Sequence, residues 1–366
     1  MKPSVSVLTT LYNHEKYIRE ALESALSQTL QPDEIVVMDD ASSDESVKVA
    51  QGVQHSTIHV YSESMNLGGP NTMRGLELCR GTFLAILNSD DVWLNDKLRK
   101  QVSYLENHPE CGAVFTYVNL IDENGTSWSE GTNRHQAFFQ TKNRDRYEWL
   151  RYFFFSGNPF CASSAVIRRE CFDQLGPLDG RYVQLQDLDM WIRIVMHGYD
   201  VHIIQEPLTK YRVMRDGSNM SSGTLSTKSL HTFEYSKILR NFWKIKSLTE
   251  LKKVFPELHV SADADDSLVL FYLAIHASKQ ATVQHQLFAL ETMSYWGGNI
   301  KRMELAHKCH GFGLIDYRKF LSNGPIRDLQ RRGVRNRLET FISRFLPFHL
   351  VQILKVILLR FWNSNK

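Results

Sequence analysis

Residues 84–93 read LAILNSDDVW, an apolar run that stops on Asn88 and Ser89 and then on two adjacent acids, Asp90 and Asp91. A short, unbroken apolar segment bounded by polar residues is the pattern of a strand buried on both faces. It is the fourth of a series. VSVLTTL (5–11), EIVVMDD (34–40), IHVYS (58–62), FLAILN (83–88) and CGAVFTYVNLI (111–121) read as strands, the last closed by a turn at Asn124-Gly125. Helical patterns separate them over 14–28, 71–80 and 95–107, and Ser42 or Ser43 is a plausible cap for a further helix after the second strand. The alternation predicts an α/β protein with a parallel sheet covered by helices on both faces.

In such sheets ligands bind beyond the carboxyl ends of the strands. Three strands here end in polar groups: Tyr12-Asn13, Asp39-Asp40 and Asn88-Ser89-Asp90-Asp91. Neighbouring carboxylates in a dry crevice raise one another's pKa, and a divalent cation removes that cost. Mg²⁺ or Mn²⁺ fits, since either bridges one or two carboxylates to substrate phosphates. The plainer reading of a lone acidic pair is a solvated turn, and for Asp39-Asp40 a helix cap.

The chain has 366 residues, 43% apolar and 23% charged, with a net charge of +3. That length suits one large or two ordinary domains, and the charge gives no reason to invoke nucleic acid. The basic character is local. Residues 327–366 hold nine Lys/Arg against Asp328 and Glu339. Five scattered cysteines without a CxxC pair predict reduced, mostly buried thiols and a cytoplasmic protein. No signal peptide and no apolar run long enough to span a bilayer is present. HKCH at 307–310 lacks a partner pair at structural-zinc spacing.

A second stretch is less regular. SSAVIRR (163–169) reads as a strand, DLDMWIRIVMHG (187–198) as a helix ended by Gly198, and 201–213 as extended chain. From about 225 helical patterns dominate, over 228–246, 267–279 and 284–294. The polar run SNMSSGTLS sets an expected boundary near 222, dividing an α/β domain (1–222) from a helical one (223–366). In FHLVQILKVILLRFW (348–362) the polar residues gather on one helical face. This is the pattern of a basic amphipathic helix lying on an anionic membrane surface. Packing onto the protein body, or against a second subunit in a homodimer, accounts for it equally well.

VSVLTTLYN, EIVVMDDASSDES and NLGGPNTMRGLELCRGTFLAILNSDDVWLNDKL, followed by SSAVIRRECFDQLGPLD and QDLDMWIRIVMHGYDVHIIQEPLTKYRV, resemble in order and spacing the family 2 glycosyltransferases of the GT-A fold. The resemblance covers roughly residues 3–222. It implies a GT-A domain with a Rossmann-like mixed sheet, followed by an all-helical C-terminal domain. It also implies inverting transfer of a sugar from a nucleoside-diphosphate donor, UDP-linked by expectation, to a hydroxyl of a glycan or lipid-linked acceptor. The setting would be surface polysaccharide assembly, cytoplasmic or peripheral on the inner face of the plasma membrane.

Carried over residue by residue, Thr10 and Tyr12 would line base and ribose. Asp40 would accept from the base edge with Asp39 supporting the loop, and Asn66 and Gly68 would form a turn that lets backbone approach the nucleotide. Asn88, Asp90 and Asp91 match the DxD-type motif, with Asp90 and Asp91 as ligands of Mg²⁺ or Mn²⁺ and with Asn88 where many members carry Asp. Thr72-Met73 replaces a common Arg-Asn pair, which leaves Arg74 to face the phosphates. Asp187 matches the general base, with Gln186 in place of a usual Glu and Asp189 as second choice. Trp191 stands as acceptor platform or core. Asn158 is a polar candidate in the acceptor-side loop. Met214 stands where many members have a His, so Arg212 or Arg215 is left to touch the diphosphate. Two alternatives remain: a nucleotidyltransferase, against which the missing glycines in LYNHEKY count, and a non-catalytic glycan- or partner-binding module. No QxxRW motif points to a processive synthase.

Overall fold

The structure is a computed structural model that describes residues 4–128, 139–214 and 224–322. Eight strands, β1 (Val5–Leu11), β2 (Glu34–Asp39), β3 (Ile58–Ser62), β4 (Phe83–Ile86), β5 (Val92–Trp93), β6 (Cys111–Ile121), β7 (Val166–Arg168) and β8 (Asp200–Arg212), form one sheet. Their spatial order is β3-β2-β1-β4-β7-β6-β8-β5. The first four strands are parallel, as the alternation predicts. β7 runs antiparallel to both β4 and β6, and β5 antiparallel to β8. The sheet is therefore mixed, as the family resemblance implies. β5 and β7 carry too few residues to show a period, which is why the alternation alone reads as all-parallel.

The helices of this part are α1 (Ile18–Leu26), α2 (Ser46–Gln51), α3 (Gly69–Leu78), α4 (Lys97–Asn107), α5 (Arg146–Ser156), α6 (Arg169–Leu175), α7 (Gln186–His197), α8 (Leu225–Ile238) and α9 (Leu248–Val254). The apolar stripe of α1, Ile18, Ala21, Leu22 and Ala25, is buried against Val5, Val7, Leu11, Ile35 and Val37 of β1 and β2. Burying a side chain of the Leu or Ile size is worth about 1.5–3 kcal/mol, so this face anchors the helix. α5 starts on a capping box. Asp145 accepts from Glu148 N at 2.8 Å, and Glu148 accepts from Asp145 N at 3.1 Å. α7 ends on Gly198 in the left-handed region, at φ 109°.

The expected cap of α2 is corrected. The helix begins at Ser46, and Ser42 Oγ instead accepts from Asn13 N at 2.9 Å, tying the end of β1 to the end of β2. The Asn124-Gly125 turn is present, with Asp122 Oδ1 accepting from Asn124 N and Thr126 N at 2.9 and 3.0 Å.

The chain divides into two compact units, Met1–Glu257 and Leu258–Lys366. The seam therefore lies beyond the expected boundary near 222. Aromatic packing is the reason: Phe154 of α5 meets Phe242 and Phe255 edge-on, with ring centroids 5.1 and 4.8 Å apart. This draws α8 and α9 into the first unit. The second unit holds α10 (Val269–Ser278), α11 (Val283–Trp296), α12 (Ile300–His310) and α13 (Leu314–Ser322). Trp296 is fully buried there beside Phe271, and His310 bonds the Tyr272 hydroxyl at 2.7 Å, a structural use for part of HKCH. All five cysteines are free, four of them buried. Among the described residues no helix is long and apolar enough to cross a membrane. The basic amphipathic segment at 348–362 lies outside the described residues.

Candidate active site

The strand order places β1 between β2 and β4, so the chain leaves β1 toward opposite sides and a crevice opens at the carboxyl ends of these strands. Thr10 is half-buried near the end of β1, and Tyr12 is exposed just beyond it. Asp39 is fully buried: Oδ2 accepts from Ser62 Oγ at 2.8 Å and Ser42 N at 3.2 Å, while Oδ1 has no hydrogen-bond partner. Asp40 accepts from Leu67 N at 2.7 Å and Gly68 N at 2.8 Å. It therefore shapes the turn carrying Asn66 and Gly68, and Gly68 takes a φ of 60° that side-chain-bearing residues rarely adopt. Asn13 and Ala41, the residues that leave β1 and follow Asp40, also have positive φ, at 50° and 61°. Strained backbone of this kind gathers where a site requires it. Arg74 of α3 is exposed and pairs with Glu63, whose N–H donates to Asp39 O at 3.1 Å just past the end of β3.

The acids after β4 have unlike surroundings. Asp91 is fully buried. Its Oδ1 accepts from Arg212 N at 2.9 Å, and its Oδ2 accepts from Ser163 Oγ and, at 3.4 Å, from Asn88 Nδ2. Burial lifts its carboxyl well above the usual range, and the charge of Asp90 adds to that. Asp90 is only half-buried. Burial raises its pKa too, and nearby His14 and Arg212 pull it back. Asp91 is thus the post on which the loop is built, and Asp90 is the more accessible of the two acids. Asn88 supports the post through its amide, a role that needs no negative charge.

Arg212 is engaged within the protein. Its guanidinium is buried, with Nε on Asp90 O at 2.8 Å, NH1 on Asp122 O at 3.1 Å and NH2 on Glu20 Oε2 at 2.7 Å. It also lies over the Tyr17 ring at 4.6 Å. It braces the acidic loop from behind. Arg215 lies outside the described residues. The Met214 sulfur accepts from Tyr17 OH at 3.6 Å.

Asp187 stands in the first turn of α7, half-buried. Its Oδ2 accepts from Asn158 Nδ2 at 2.7 Å and its Oδ1 from Leu188 N at 2.7 Å. Burial pushes its pKa up to about 6 against the pull of these donors, and the Glu234 charge adds to the rise. Asp189, the second choice, is buried in an ion pair with Arg193 at 2.7 Å and accepts from Asn241 at 2.7 Å, which commits it to structure. Trp191 is fully buried, edge-on to Phe115 with centroids 4.8 Å apart, and belongs to the core.

One stretch joins the two acidic centres. Within 156–164, Asn158 holds Asp187, and Ser163 holds Asp91 while accepting from Asn88 N at 2.9 Å. Between them Phe160 stacks on Phe115 at 3.8 Å, which fixes the stretch to the core. Sequence reasoning missed Ser163, the bracing role of Arg212, and His14, whose Nδ1 is 2.8 Å from Ser89 Oγ. A serine or histidine in a loop carries no periodic signal, and these contacts span many residues of chain.

The model of the glycosyl transferase family 2 matches residues 6–176. A glycosyltransferase of Methanocaldococcus jannaschii is 31% identical over 251 residues, which span 67% of this chain and 81% of that protein. The amylovoran biosynthesis glycosyltransferase AmsE of Erwinia amylovora is 31% identical over 229 residues, spanning 61% of this chain and 82% of that protein. Among solved structures, residues 1–349 of S. aureus TarS, crystallised in complex with UDP-GlcNAc, superpose with a TM-score of 0.52 at 16% identity, over 90% of this chain and 92% of that one. At that identity the likeness concerns the fold.

Proposed function

The chain belongs to glycosyl transferase family 2, and from that premise we propose that it moves a sugar with inversion from a UDP-sugar to a hydroxyl of a glycan or lipid-linked acceptor in surface polysaccharide assembly. The observation that carries the reading is Asp187: a half-exposed carboxylate held by two neutral donors, the Asn158 amide and the Leu188 N–H, with its pKa pushed up to about 6 and no cationic partner among the described residues. A general base works best when its pKa lies near the working pH and its proton-accepting atom is free to meet the substrate. The amylovoran name of one relative and the UDP-GlcNAc bound by the structural neighbour support the setting and the donor class.

In this mechanism the acceptor hydroxyl gives its proton to Asp187 as its oxygen attacks the anomeric carbon. The bond to the diphosphate oxygen breaks on the opposite side, and its electron pair leaves with UDP. Asn158 fixes the rotamer of Asp187, so the base is already aimed when the acceptor arrives. At the donor end, Thr10 and Tyr12 would line base and ribose, Asp39 supports the loop from a buried position, and Asp40, which shapes the turn at Asn66 and Gly68, would meet the base edge.

The residues fit a divalent cation, because adjacent carboxylates with raised pKa values gain from a positive charge. Asp90 would hold it, the donor's phosphates would complete its shell, and it would neutralise charge on the leaving diphosphate. Among the described residues no three His, Cys, Asp or Glu side chains are grouped to hold a metal by themselves. Residues 348–362 would bring the enzyme to an anionic membrane surface. The test is UDP release from a panel of UDP-sugars in Mn²⁺ and in EDTA, with GDP-mannose as control. Metal-dependent turnover of one UDP-sugar is expected; metal-independent release, or turnover of GDP-mannose alone, overturns the donor assignment.

A further inference from the structure

Glu234 lies on α8, outside the stretch matched by the family model, yet its side chain reaches the turn that delivers the candidate base. It is 2% exposed. Its Oε1 accepts from Val183 N at 2.7 Å, and its Oε2 accepts from Gln184 N and Leu185 N, both at 3.0 Å. These are the last residues before α7, whose first turn bears Asp187. Three backbone N–H groups on one carboxylate make a strong, charge-assisted clamp. The next residue along α8 grips the other partner of the base. Tyr235 OH donates to Phe153 O and, at 3.0 Å, to Phe154 O near the end of α5, just ahead of Gly157 and Asn158. Adjacent residues of one helix thus fix both ends of the Asn158–Asp187 hydrogen bond.

We propose that Glu234 is the positioning residue of the catalytic base, setting the orientation of the Val183–Asp187 turn and placing a negative charge beside it. The inference rests on the reading of Asp187 as the base. On α8 itself His231 faces Glu234: burial lowers its pKa and the Glu234 charge pulls it back up. Other charged groups on elements packed against α7 lie by other residues. Arg146 of α5 serves Val195 O at the far end of α7, and Asp173 of α6 pairs with Arg169. Lys244 lies by Asp189, Arg240 by Tyr182, and Asp200 of β8 by Glu110. The charge felt at Asp187 is that of Glu234.

The experiment compares wild type, E234Q, E234D and D187N with UDP-GlcNAc as probe donor in Mn²⁺, following kcat, KM and the pH profile of kcat/KM. E234Q loses the charge and at least one of its three acceptor contacts. The expected result is a kcat lowered by about 10- to 100-fold with the donor KM unchanged. Its acid limb moves to lower pH, because removing a negative neighbour makes Asp187 easier to ionise. E234D keeps the charge but reaches less far, so its limb stays in place while kcat falls. Wild-type kcat and limb in E234Q, or a loss of thermal stability alone, overturns the proposal. If E234Q does not fold, wild-type kcat in E234D overturns it instead. An active D187N sinks the base assignment rather than the clamp. Should the probe donor not be turned over, the pH titration of the Asp187 carboxyl carbon by NMR and the exchange of the 183–185 amides decide: no change between wild type and E234Q overturns the proposal.

Discussion

Asp91 and Asp187 are both carboxylates lifted by burial, yet they are built for opposite ends. Asp91 is sealed: its two oxygens take a backbone N–H, a serine hydroxyl and an asparagine amide, and the buried Arg212 stands behind its loop. Asp187 has one neutral side-chain donor and stays half-exposed. A buried carboxylate that takes three donors from its own chain shapes a loop; a half-exposed one held by neutral donors can take a proton from a substrate. The difference lies in accessibility and in partners, since the direction of the pKa shift is the same.

The contrast can be broken first at Asp187. Replacing it with Asn should lower kcat by about 10²–10⁴-fold in a UDP-release assay. Stability should not fall. The folded pKa of this group is above its unfolded value, so its ionised form is penalised in the fold at pH values above about 6, and a neutral amide relieves that penalty. A large loss of Tm in D187N would make Asp187 a structural acid like Asp91.

The acidic loop should divide in the converse way. Asp91→Ala leaves the Arg212 amide and the Ser163 hydroxyl without their acceptor, and urea unfolding should show a loss of about 2–3 kcal/mol. Asp90→Asn should leave the urea midpoint unchanged or raised while weakening Mn²⁺-dependent UDP binding, read by calorimetry with and without the metal. Equal destabilisation by both variants would erase the distinction between post and ligand.

A smaller effect belongs to Asn158. Its amide favours the ionised form of Asp187, so Asn158→Ala should move the acid limb of kcat/KM to higher pH and lower kcat several-fold. An unmoved limb would leave the Asn158 contact without a role in tuning the base. The smallest effect is expected at Ala41, held at φ 61° beside the strand end. Ala41→Gly should stabilise by about 0.5–1 kcal/mol, the left-handed penalty less the glycine's extra unfolded freedom, with kcat intact.

Legibility in the sequence followed chain distance. β1 to β4 and their helices repeat over short intervals, so apolar runs and their polar ends were enough to find Asp39, Asp40 and the loop at 88–91. The antiparallel half was harder, because β5 and β7 are too brief to show alternation and their pairings reach across the chain. The Asp187 segment was recognisable only through the family resemblance, since an acid opening a helix is commonplace. The environment of these acids could not be read at all. Ser163, Arg212, Asn158 and Glu234 arrive from distant segments and carry no local pattern. The partner of Arg74 was equally hidden, since Glu63 lies on a different segment and its acid gives no sign of which base it meets.

The central claim, that Asp187 is the proton acceptor, is tested most directly by the pH profile of kcat/KM at saturating metal. The account predicts a single acid limb near pH 6, set by burial of that carboxyl and displaced in Asn158→Ala. A profile flat through this range down to the pH of unfolding would contradict it.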